Sequence, residues 1–339
     1  MSSTTKAAKL ALWSLCAASC AMPSANARGE ALTITGENDV LTNSDNNYTN
    51  GGAISWVSSD LDTYDSDSFV SKWARFWKFL PFVDDDGYSN YGAWSLVQEM
   101  NTPDDIQDPN PPEDDQPYAG VLYVDSLLYA RKERWAHVWQ LKAGVVGPAS
   151  QAESVQKKVH DRIGADEPLG WDTQLPNEPV VNIGYTGSYL AASGRLGRSA
   201  EWRILPMGTV GVGNYFTGAG AGVYGEVGWN LVDAFGGTSL RSGLNAASTV
   251  GVGPVDRWSV SFFGGVAEYG VIHYLPLDGT VFHDSRSVDS KPFIGMGSLG
   301  ISARRGTFAV SLAATFFTDT FETQRQAADF GTLSMSWLF

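Results

Sequence analysis

The sequence has almost no cysteine: only Cys16 and Cys20 occur among its 339 residues. Both lie in a segment typical of export signals, in which a basic stretch precedes an apolar run over 10–22. Ala25-Asn26-Ala27 then supplies the small-x-small pattern that signal peptidase cuts, so we predict a signal peptide over 1–27. Lipoprotein processing at Cys20 is an alternative. Without residues 1–27, the chain has no cysteine for disulfides or thiolate metal sites.

The sequence also lacks long apolar runs and an excess of positive charge. Nothing after residue 27 is apolar over the roughly 20 residues that a transmembrane helix needs. Residues 1–27 contain two lysines and no acidic residue, so 21 Lys and Arg face 37 Asp and Glu in the remainder, a net charge of −16. This balance argues against nucleic acid as a partner. It fits both an ordinary solvated acidic surface and a protein that meets divalent cations on a Gram-negative surface.

The chain does have many short segments in which apolar and small polar residues alternate. In the segment 307–316, apolar side chains occupy every second position: Phe308, Val310, Leu312, Ala314 and Phe316. The last residues repeat the pattern and end on an aromatic, Phe339. Alternation at every second residue, with apolar side chains facing lipid and small polar side chains facing the lumen, is typical of strands in outer-membrane barrels. We therefore predict an all-β fold, a transmembrane antiparallel β-barrel; a soluble sandwich is the alternative.

Twelve such segments follow one another, which predicts one barrel domain over 28–339. They are 31–38, 48–58, 92–101, 118–131, 135–147, 179–194, 199–214, 217–232, 257–274, 291–304, 306–318 and 328–339. An even count places both chain ends on the periplasmic side. The long polar connections 39–47, 102–117 and 148–178 then all point outward.

One inward connection, 59–91, is longer than usual for a barrel turn. Within it, the stretch from Phe69 to Leu80 has the pattern of a short amphipathic helix. Two positions for this helix remain open: at the membrane interface, or under the barrel as a plug.

The third outward loop contains a predicted helix. Ser150 and Glu153 form a capping-box pattern at its start, and Gly164 can end it. An apolar stripe follows at four-residue spacing: Val155, Val159 and Ile163. His160 lies beside this stripe. A lone histidine is more often structural or solvated than catalytic, so this helix alone does not establish a site.

The first hairpin brings further polar residues to the same rim. Asp39 follows strand 1 and Thr49 begins strand 2, so pairing of these strands places the two residues close together. A carboxylate and a hydroxyl beside a histidine are suited to binding a hard cation and activating water. The alternative for Asn38-Asp39 is turn formation, which both residue types favour.

The ordered set of these motifs resembles the lipid A 3′-O-deacylase family of outer-membrane barrels. The segments that carry the resemblance are Glu37-Asn38-Asp39, Tyr48-Thr49-Asn50-Gly51, Pro117-Tyr118-Ala119-Gly120, Gly147-Pro148, Val155-Gln156-Lys157-Lys158-Val159-His160, Ile163-Gly164-Ala165, Gly170-Trp171 and Gln174-Leu175. They cover the N-terminal half after residue 27 in the right order. The C-terminal half resembles the family only as barrel strands.

The resemblance implies a calcium-dependent site that removes the 3′-linked acyloxyacyl group of lipid A. His160 matches the family's catalytic histidine, and Asp39 and Thr49 match its first-strand acid and second-strand hydroxyl. Asn38 matches the neighbouring asparagine. Asp39, Thr49 and Asp166 are the implied ligands of Ca²⁺, with Asp166 at the place of the family's acidic residue six positions after the histidine.

Two departures from the family pattern stand out. The family has Glu where this chain has Asp166, and Glu167 is an equally possible carboxylate donor. The second outward loop of the family carries a lysine suited to a lipid phosphate, whereas the stretch 101–117 contains no Lys or Arg. Three cations of the next loop are candidates to replace it: Lys157, Lys158 and Arg162.

The resulting expectation is an ester hydrolase in the outer membrane of a Gram-negative bacterium, acting on lipopolysaccharide in the outer leaflet. His160 would activate water as a general base, and Thr49 would position that water or bind the ion. No Gly-x-Ser-x-Gly elbow is present to suggest a serine nucleophile. The alternatives are a non-enzymatic barrel, structural or channel-forming, and an outer-membrane phospholipase.

Overall fold

The computed structural model describes residues 29–38, 48–59, 61, 67–197, 199–232, 254–326 and 328–339. The predicted signal peptide, the first outward loop with Asp39, and most of the connection 233–256 lie outside these residues. The side chains of residues 48–50 are also outside the description.

The described strands form one closed antiparallel sheet. Their bounds are β1 (Ala31–Asn38), β2 (Tyr48–Val57), β3 (Ser89–Asn101), β4 (Ala119–Lys132), β5 (Trp135–Val146), β6 (Glu178–Tyr189), β7 (Ala192–Leu196), β8 (Ala200–Gly213), β9 (Phe216–Trp229), β10 (Val255–Tyr274), β11 (Phe293–Gly306), β12 (Phe308–Phe317) and β13 (Asp329–Leu338). β1 pairs with β13, and β6 pairs with β8, which closes the ring. β6 and β7 pair with successive parts of the same strand, β8, so β6 and β7 count as one interrupted strand of the barrel. The predicted twelve-stranded barrel is confirmed.

The alternation of side chains follows the prediction. Thr33 and Thr35 on β1 face the lumen, where their hydroxyls lie 2.8 Å from Ser336 Oγ and 3.0 Å from Ser334 Oγ on β13. On the other face of the wall, large apolar side chains such as Leu312 are exposed. A polar interior and an apolar exterior are what a barrel in lipid requires.

Both chain ends lie at one rim of the barrel, here called the terminal rim, together with the connection from β2 to β3. The opposite rim, where β1 ends and β2 begins, carries the connections 102–118, 147–177 and 275–292 and is called the loop rim. The even strand number predicts that the loop rim faces outward.

Three α-helices are described: α1 (Phe69–Phe76), α2 (Ala152–Ile163) and α3 (Leu275–Asp278). Within the described parts of the chain, none of the helices has the length and apolar character needed to cross a membrane. α1 belongs to the terminal rim, and α2 and α3 belong to the loop rim.

α1 packs on the outside of the barrel wall. Ser68 begins the helix, its Oγ accepting from Ser71 N at 3.2 Å. The Trp73 indole donates to Ser126 Oγ at 2.8 Å, and a Cβ on Gly92 would overlap the Val70 side chain. Ser126 pairs with Trp94 on the lipid-facing side of the wall. A plug under the barrel is therefore wrong, and the helix spans fewer residues than predicted.

The lumen is crossed by a buried polar network near the loop rim. Glu99 accepts from Tyr123 Oη at 2.6 Å and also from Tyr215 Oη. Lys142 Nζ lies 3.7 Å from the centroid of the Tyr123 ring and 3.6 Å from that of Tyr215. These side chains occupy the interior as a bonded layer, which is unfavourable for an open aqueous channel.

The connection after α3 closes over this layer. The buried Glu178 carboxylate, at the start of β6, accepts from Val281 N at 3.0 Å and Phe282 N at 2.7 Å. Asn214 Nδ2 donates to the same carboxylate at 3.0 Å. The loop backbone is thus fixed to the mouth of the barrel.

Candidate active site on the outer wall

The loop between β5 and β6 builds the support for His160. Gly147 has φ 95°, a short 3₁₀ turn covers Pro148–Ser150, and Gln151, with φ 60°, leads into α2. Gly164, with φ 70°, ends α2 as predicted, its N–H donating to His160 O. These left-handed positions set the direction of the helix.

The predicted capping box is wrong. The N-cap is Gln151, which makes no side-chain cap hydrogen bond. Glu153 instead bonds Lys157 one turn later at 2.8 Å, an i,i+4 ion pair. The Ser150 hydroxyl accepts from Ala152 N at 3.3 Å. The intervening 3₁₀ turn leaves no geometry in which Ser150 and Glu153 cap reciprocally.

The buried face of α2 also differs from the predicted apolar stripe. The buried residues are Ala152, Gln156, His160 and Ile163, whereas Val155 is 36% exposed. A Cβ on Gly120 would overlap Ala152, and Gln98 Nε2 donates to Ser150 O at 2.6 Å, so this face lies directly on β3 and β4. The helix therefore turns polar side chains toward the wall.

α2 lies on the outer, lipid-facing side of that wall. Gln98 and Met100 share a strand face with Leu96, which is 52% exposed in the apolar band. Because the surroundings of this band are lipid and not water, the usual rule that the apolar stripe faces inward does not apply to a helix placed here. The candidate site lies where α2 meets the barrel exterior.

His160 is held in one orientation by a single short hydrogen bond. Its side chain is only 6% exposed, and Nδ1 lies 2.5 Å from Asp166 O. A carbonyl oxygen can only accept, so Nδ1 carries the proton, and in the neutral ring Nε2 then holds the lone pair. The arrangement suits a general base.

Gln156 is a buried site residue that the sequence analysis missed. It precedes His160 by one turn on the same face, and its Oε1 accepts from Trp171 Nε1 at 2.7 Å. Gln156 Nε2 has no hydrogen-bond partner among the described residues. Because an indole can only donate, the bond to Trp171 must use the amide oxygen of Gln156, and the amide nitrogen is the atom that remains without a partner. An unsatisfied buried N–H costs about 1–3 kcal/mol. The i,i+4 spacing to His160 was the available sequence signal.

The first hairpin places Asn38 on the same side of the wall. Asn38 pairs with Asn50, Asn50 with Met100, and Met100 with Gly120, which lies under the start of α2. This row crosses four strands, about 15 Å at the usual strand spacing. Asn38 is buried. The strand register thus brings the end of β1 and α2 to one stretch of the outer wall.

Thr49 occupies a special backbone position in this row. Tyr48 pairs with Asn101 and Asn50 with Met100, so Thr49 is the extra residue of a β-bulge. Bulges re-aim side chains and recur next to active sites. The Thr49 side chain and all of Asp39 lie outside the described residues, so their roles stay predictions.

The carboxylate expected from the loop after α2 is solvent-exposed. Asp166 contributes its backbone carbonyl to His160, while its side chain and that of Glu167 are exposed. The described residues contain no group of three or more His, Cys, Asp and Glu side chains placed to hold a metal ion. The donors present at this rim are hard oxygens, namely the Asn38 amide and these carboxylates, which fit Ca²⁺ better than a sulfur-seeking metal.

The acidic second loop is tied down by cations from elsewhere. Arg286 donates to Pro111 O at 3.0 Å and to Pro112 O, and Arg325 lies 3.4 Å from Asp114 Oδ2. Burial, and then the nearby Asp115 carboxylate, raise the pKa of Asp104. The loop therefore receives positive charge from the C-terminal half instead of carrying a lysine.

This second loop also packs against the loop that carries α2. The rings of Tyr118 and Trp171 lie 4.8 Å apart, and Tyr118 O accepts from Leu175 N at 2.9 Å. Burial raises the pKa of the Tyr118 phenol to about 12, so it stays protonated at neutral pH and donates to Ile106 O at 3.1 Å. The two loops form one rigid support for Trp171, and through it for Gln156.

Two cations of α2 are suited to an anionic ligand. Lys158 and Arg162 are both solvent-exposed on the helix that carries His160. Lys157 is already engaged: its hydrogen bond to Glu153 raises the pKa of its ammonium group. Of the three replacement cations considered for the missing lysine, Lys158 and Arg162 are the more exposed.

A family described as outer membrane protein LpxR matches residues 10–339, nearly the whole sequence. The chain belongs to the LpxR family of outer-membrane proteins. This confirms the resemblance found in the N-terminal motifs and agrees with an outer-membrane barrel. No curated protein matches the sequence.

A solved structure shares the fold. LpxR from Salmonella typhimurium matches with a TM-score of 0.71 at 17% identity, over 91% of this chain and 100% of that one. The β domain of the Bordetella autotransporter BrkA has a TM-score of 0.42 at 7% identity, over 91% and 98% of the two chains. The NanC porin reaches 0.38 at 7%, over 91% and 100%. The first match supports the barrel architecture, and the other two are too distant to support any argument.

Proposed function

We propose that this chain is a lipid A 3′-O-deacylase that hydrolyses the 3′-linked acyloxyacyl ester in the outer leaflet. The observation that carries the proposal is the His160 ring, fixed by its Nδ1–H to Asp166 O on a helix that packs against the lipid-facing wall. A lipid ester can approach this side of the barrel without leaving the membrane. Family membership supports the same activity.

The chemistry assigned to His160 is general-base catalysis. With Nδ1 protonated, Nε2 takes a proton from water as that water attacks the ester carbonyl, and the imidazolium then returns it to the leaving alkoxide. The Asp166 carbonyl accepts from Nδ1–H in both the neutral and the protonated ring, so Nε2 keeps its direction during the proton transfer. Burial keeps the ring in one rotamer, so little orientation is lost on reaching the transition state.

Gln156 is assigned a second task at the same site. Its Nε2–H₂ group is the donor left over by the bond to Trp171, and it lies one turn from His160. Neighbouring positions at i,i+4 bring Cβ atoms to about 5–6 Å, so both side chains can contact one substrate group. We assign this donor to the substrate carbonyl oxygen or to the attacking water.

Ca²⁺ is proposed as the cofactor, with Asp39, Thr49 and Asp166 as its protein ligands and Asn38 beside them. When bound, the ion supplies positive charge that stabilises the oxyanion of the tetrahedral intermediate. The hard oxygen donors at the loop rim support this choice. Lys158 and Arg162 are proposed to contact the phosphates of the lipid A headgroup.

The deciding experiment compares lipid A and phospholipid in the same detergent micelles. We expect the purified barrel to release the 3′ acyloxyacyl group from lipid A with Ca²⁺ and to leave glycerophospholipids intact, as measured by mass spectrometry. Fatty acid release from phospholipid alone would indicate the phospholipase alternative. Inactivity on both, with an intact barrel, would indicate a non-enzymatic protein.

A further inference from the structure

The outward face of α1 is an aromatic and basic surface that the deacylase site does not use. Phe69 and Phe76 are 67% and 68% exposed, and Phe79, just beyond the helix, is 72% exposed. Lys72, also exposed, lies on the same outward side. α1 contains no acidic residue, although the chain as a whole is strongly acidic. A soluble surface would bury such phenylalanines, so they need a partner.

The height of α1 on the wall identifies its surroundings. Trp73 reaches Ser126, which is six residues from the end of β4 at the terminal rim. Ser126 lies in one cross-strand row with Trp94 and Trp56, and Trp56 is one residue from the end of β2 at the same rim. α1 therefore covers the lipid-facing wall at its terminal edge. A helix at this edge meets lipid headgroups and the adjoining part of the acyl chains.

The aromatic surface is continuous with the lipid-facing wall. The Phe69 and Trp94 rings lie 5.2 Å apart, and Trp94 stacks on Trp56 at 5.7 Å. On the same strand face, Ile54 and Leu96 are exposed to the membrane. The segment after α1 covers more of this wall, where Phe82 stacks on His137 at 3.7 Å.

We propose that α1 and Phe79 form a phospholipid-binding surface at the terminal rim, in the inner leaflet of the outer membrane. Acyl chains pack on Phe69, Phe76 and Phe79, and a glycerophospholipid phosphate is held beside Lys72. Lipid is the partner that fits because the surface extends from the lipid-facing band and carries an exposed cation where headgroups meet the wall. Such an anchor fixes the height of the barrel in the bilayer.

The first test uses the absence of cysteine after residue 27. A nitroxide on Phe76→Cys, in a barrel reconstituted into bilayer nanodiscs, should be accessible to oxygen and protected from a water-soluble nickel relaxer. Leu312→Cys on the lipid-facing wall should behave alike, and Ser334→Cys in the lumen should not show the high oxygen accessibility. Phe69→Cys provides a second position if Phe76→Cys does not fold. Nickel accessibility equal to that of the loop variant Asn110→Cys would overturn the proposal and indicate a water-exposed face for a soluble partner.

The second test addresses the headgroup. A fluorophore is attached to Phe76→Cys, and its quenching is measured in two bilayers that each contain equal amounts of phosphatidylglycerol and phosphatidylcholine. In one bilayer only the phosphatidylglycerol is brominated, and in the other only the phosphatidylcholine. We expect phosphatidylglycerol to quench more, and Lys72→Gln to reduce this preference about two- to fivefold. Lys291→Gln, at the loop rim, is the matched control and should leave the preference unchanged. Equal quenching by both lipids in the unsubstituted helix would remove the contact between Lys72 and an anionic headgroup from the proposal.

Discussion

The Nδ1 atom of His160 lies 2.5 Å from the backbone carbonyl oxygen of Asp166, six residues later in the same loop. This bond crosses the end of α2, where Ala165 N and Gly164 N both donate to His160 O. The helix cap and the tautomer of the ring are therefore fixed by one short turn. A backbone acceptor, unlike a carboxylate, cannot be lost by protonation, so the ring orientation is independent of pH.

We expect His160→Asn to lower turnover on lipid A by about 10²–10⁴-fold, because it removes the general base. Asn Nδ2 can replace the donor to Asp166 O, so this variant separates chemistry from loop structure better than His160→Ala does. Product release is followed by mass spectrometry, and heat-modifiable gel mobility reports an intact barrel. Wild-type turnover in the intact variant would mean that His160 is structural.

Hydrolysis should require Ca²⁺ and stop with excess chelator. Zn²⁺ should not restore it, because the described site offers oxygen donors and the sequence after residue 27 has no cysteine. Asp39→Ala should abolish activity or raise the calcium concentration needed for half-maximal rate, whereas Asp161→Ala, on the exposed side of α2, should not. Full activity in chelator would exclude calcium from the mechanism.

The barrel was predictable because its signal is local. Alternation in a segment such as 307–316 reports the two faces of a strand directly, and twelve such segments fix the topology by number. The position of α1 was not predictable, because it depends on contacts with Gly92 and Ser126, which lie far away in sequence.

The site was predictable in its residues but not in its orientation. The apolar stripe of a helix is expected on its buried face when the opposite face meets water. Beside a lipid-facing wall, Val155 is exposed and the polar Gln156 is buried. Gln156 was missed because its meaning depends on Trp171, 15 residues later, which determines the direction of the amide.

The loop rim should be reached from outside the cell. A cysteine introduced at Asn110, exposed in the second loop, should react with a membrane-impermeant maleimide on intact cells. One at Glu133, exposed in the tight turn between β4 and β5, should react only after the outer membrane is permeabilised. The reverse pattern would show that the barrel has the opposite orientation.

Loss of the Glu178 carboxylate should release the connection over the barrel mouth. Glu178→Ala removes the acceptor of Val281 N and Phe282 N, and unsatisfied N–H groups of this kind cost about 1–3 kcal/mol each. We expect faster limited proteolysis within 279–290 than in the wild type. Glu322→Ala, at an exposed ion pair of the same rim, is the matched control. Unchanged protease resistance in Glu178→Ala would show that other contacts hold the connection.

The most discriminating test of the candidate site is the variant Gln156→Glu. Glutamate keeps an oxygen for the Trp171 indole, 2.7 Å away, but removes the Nε2 donor that we assign to the substrate or the attacking water. We expect kcat to fall about 10²–10³-fold, the range measured when a single oxyanion donor is removed.

Trp171→Phe is the matched control for that variant, because it leaves the donor in place and removes only the group that orients the amide. It should destabilise the loop by about 1–3 kcal/mol and reduce kcat less than Gln156→Glu does. Protease resistance of the loop reports stability, and initial rates over a range of lipid A concentrations separate kcat from KM. If Gln156→Glu weakens the loop as much as Trp171→Phe and leaves kcat unchanged, Gln156 is a structural residue, and the donor facing the substrate must come from elsewhere.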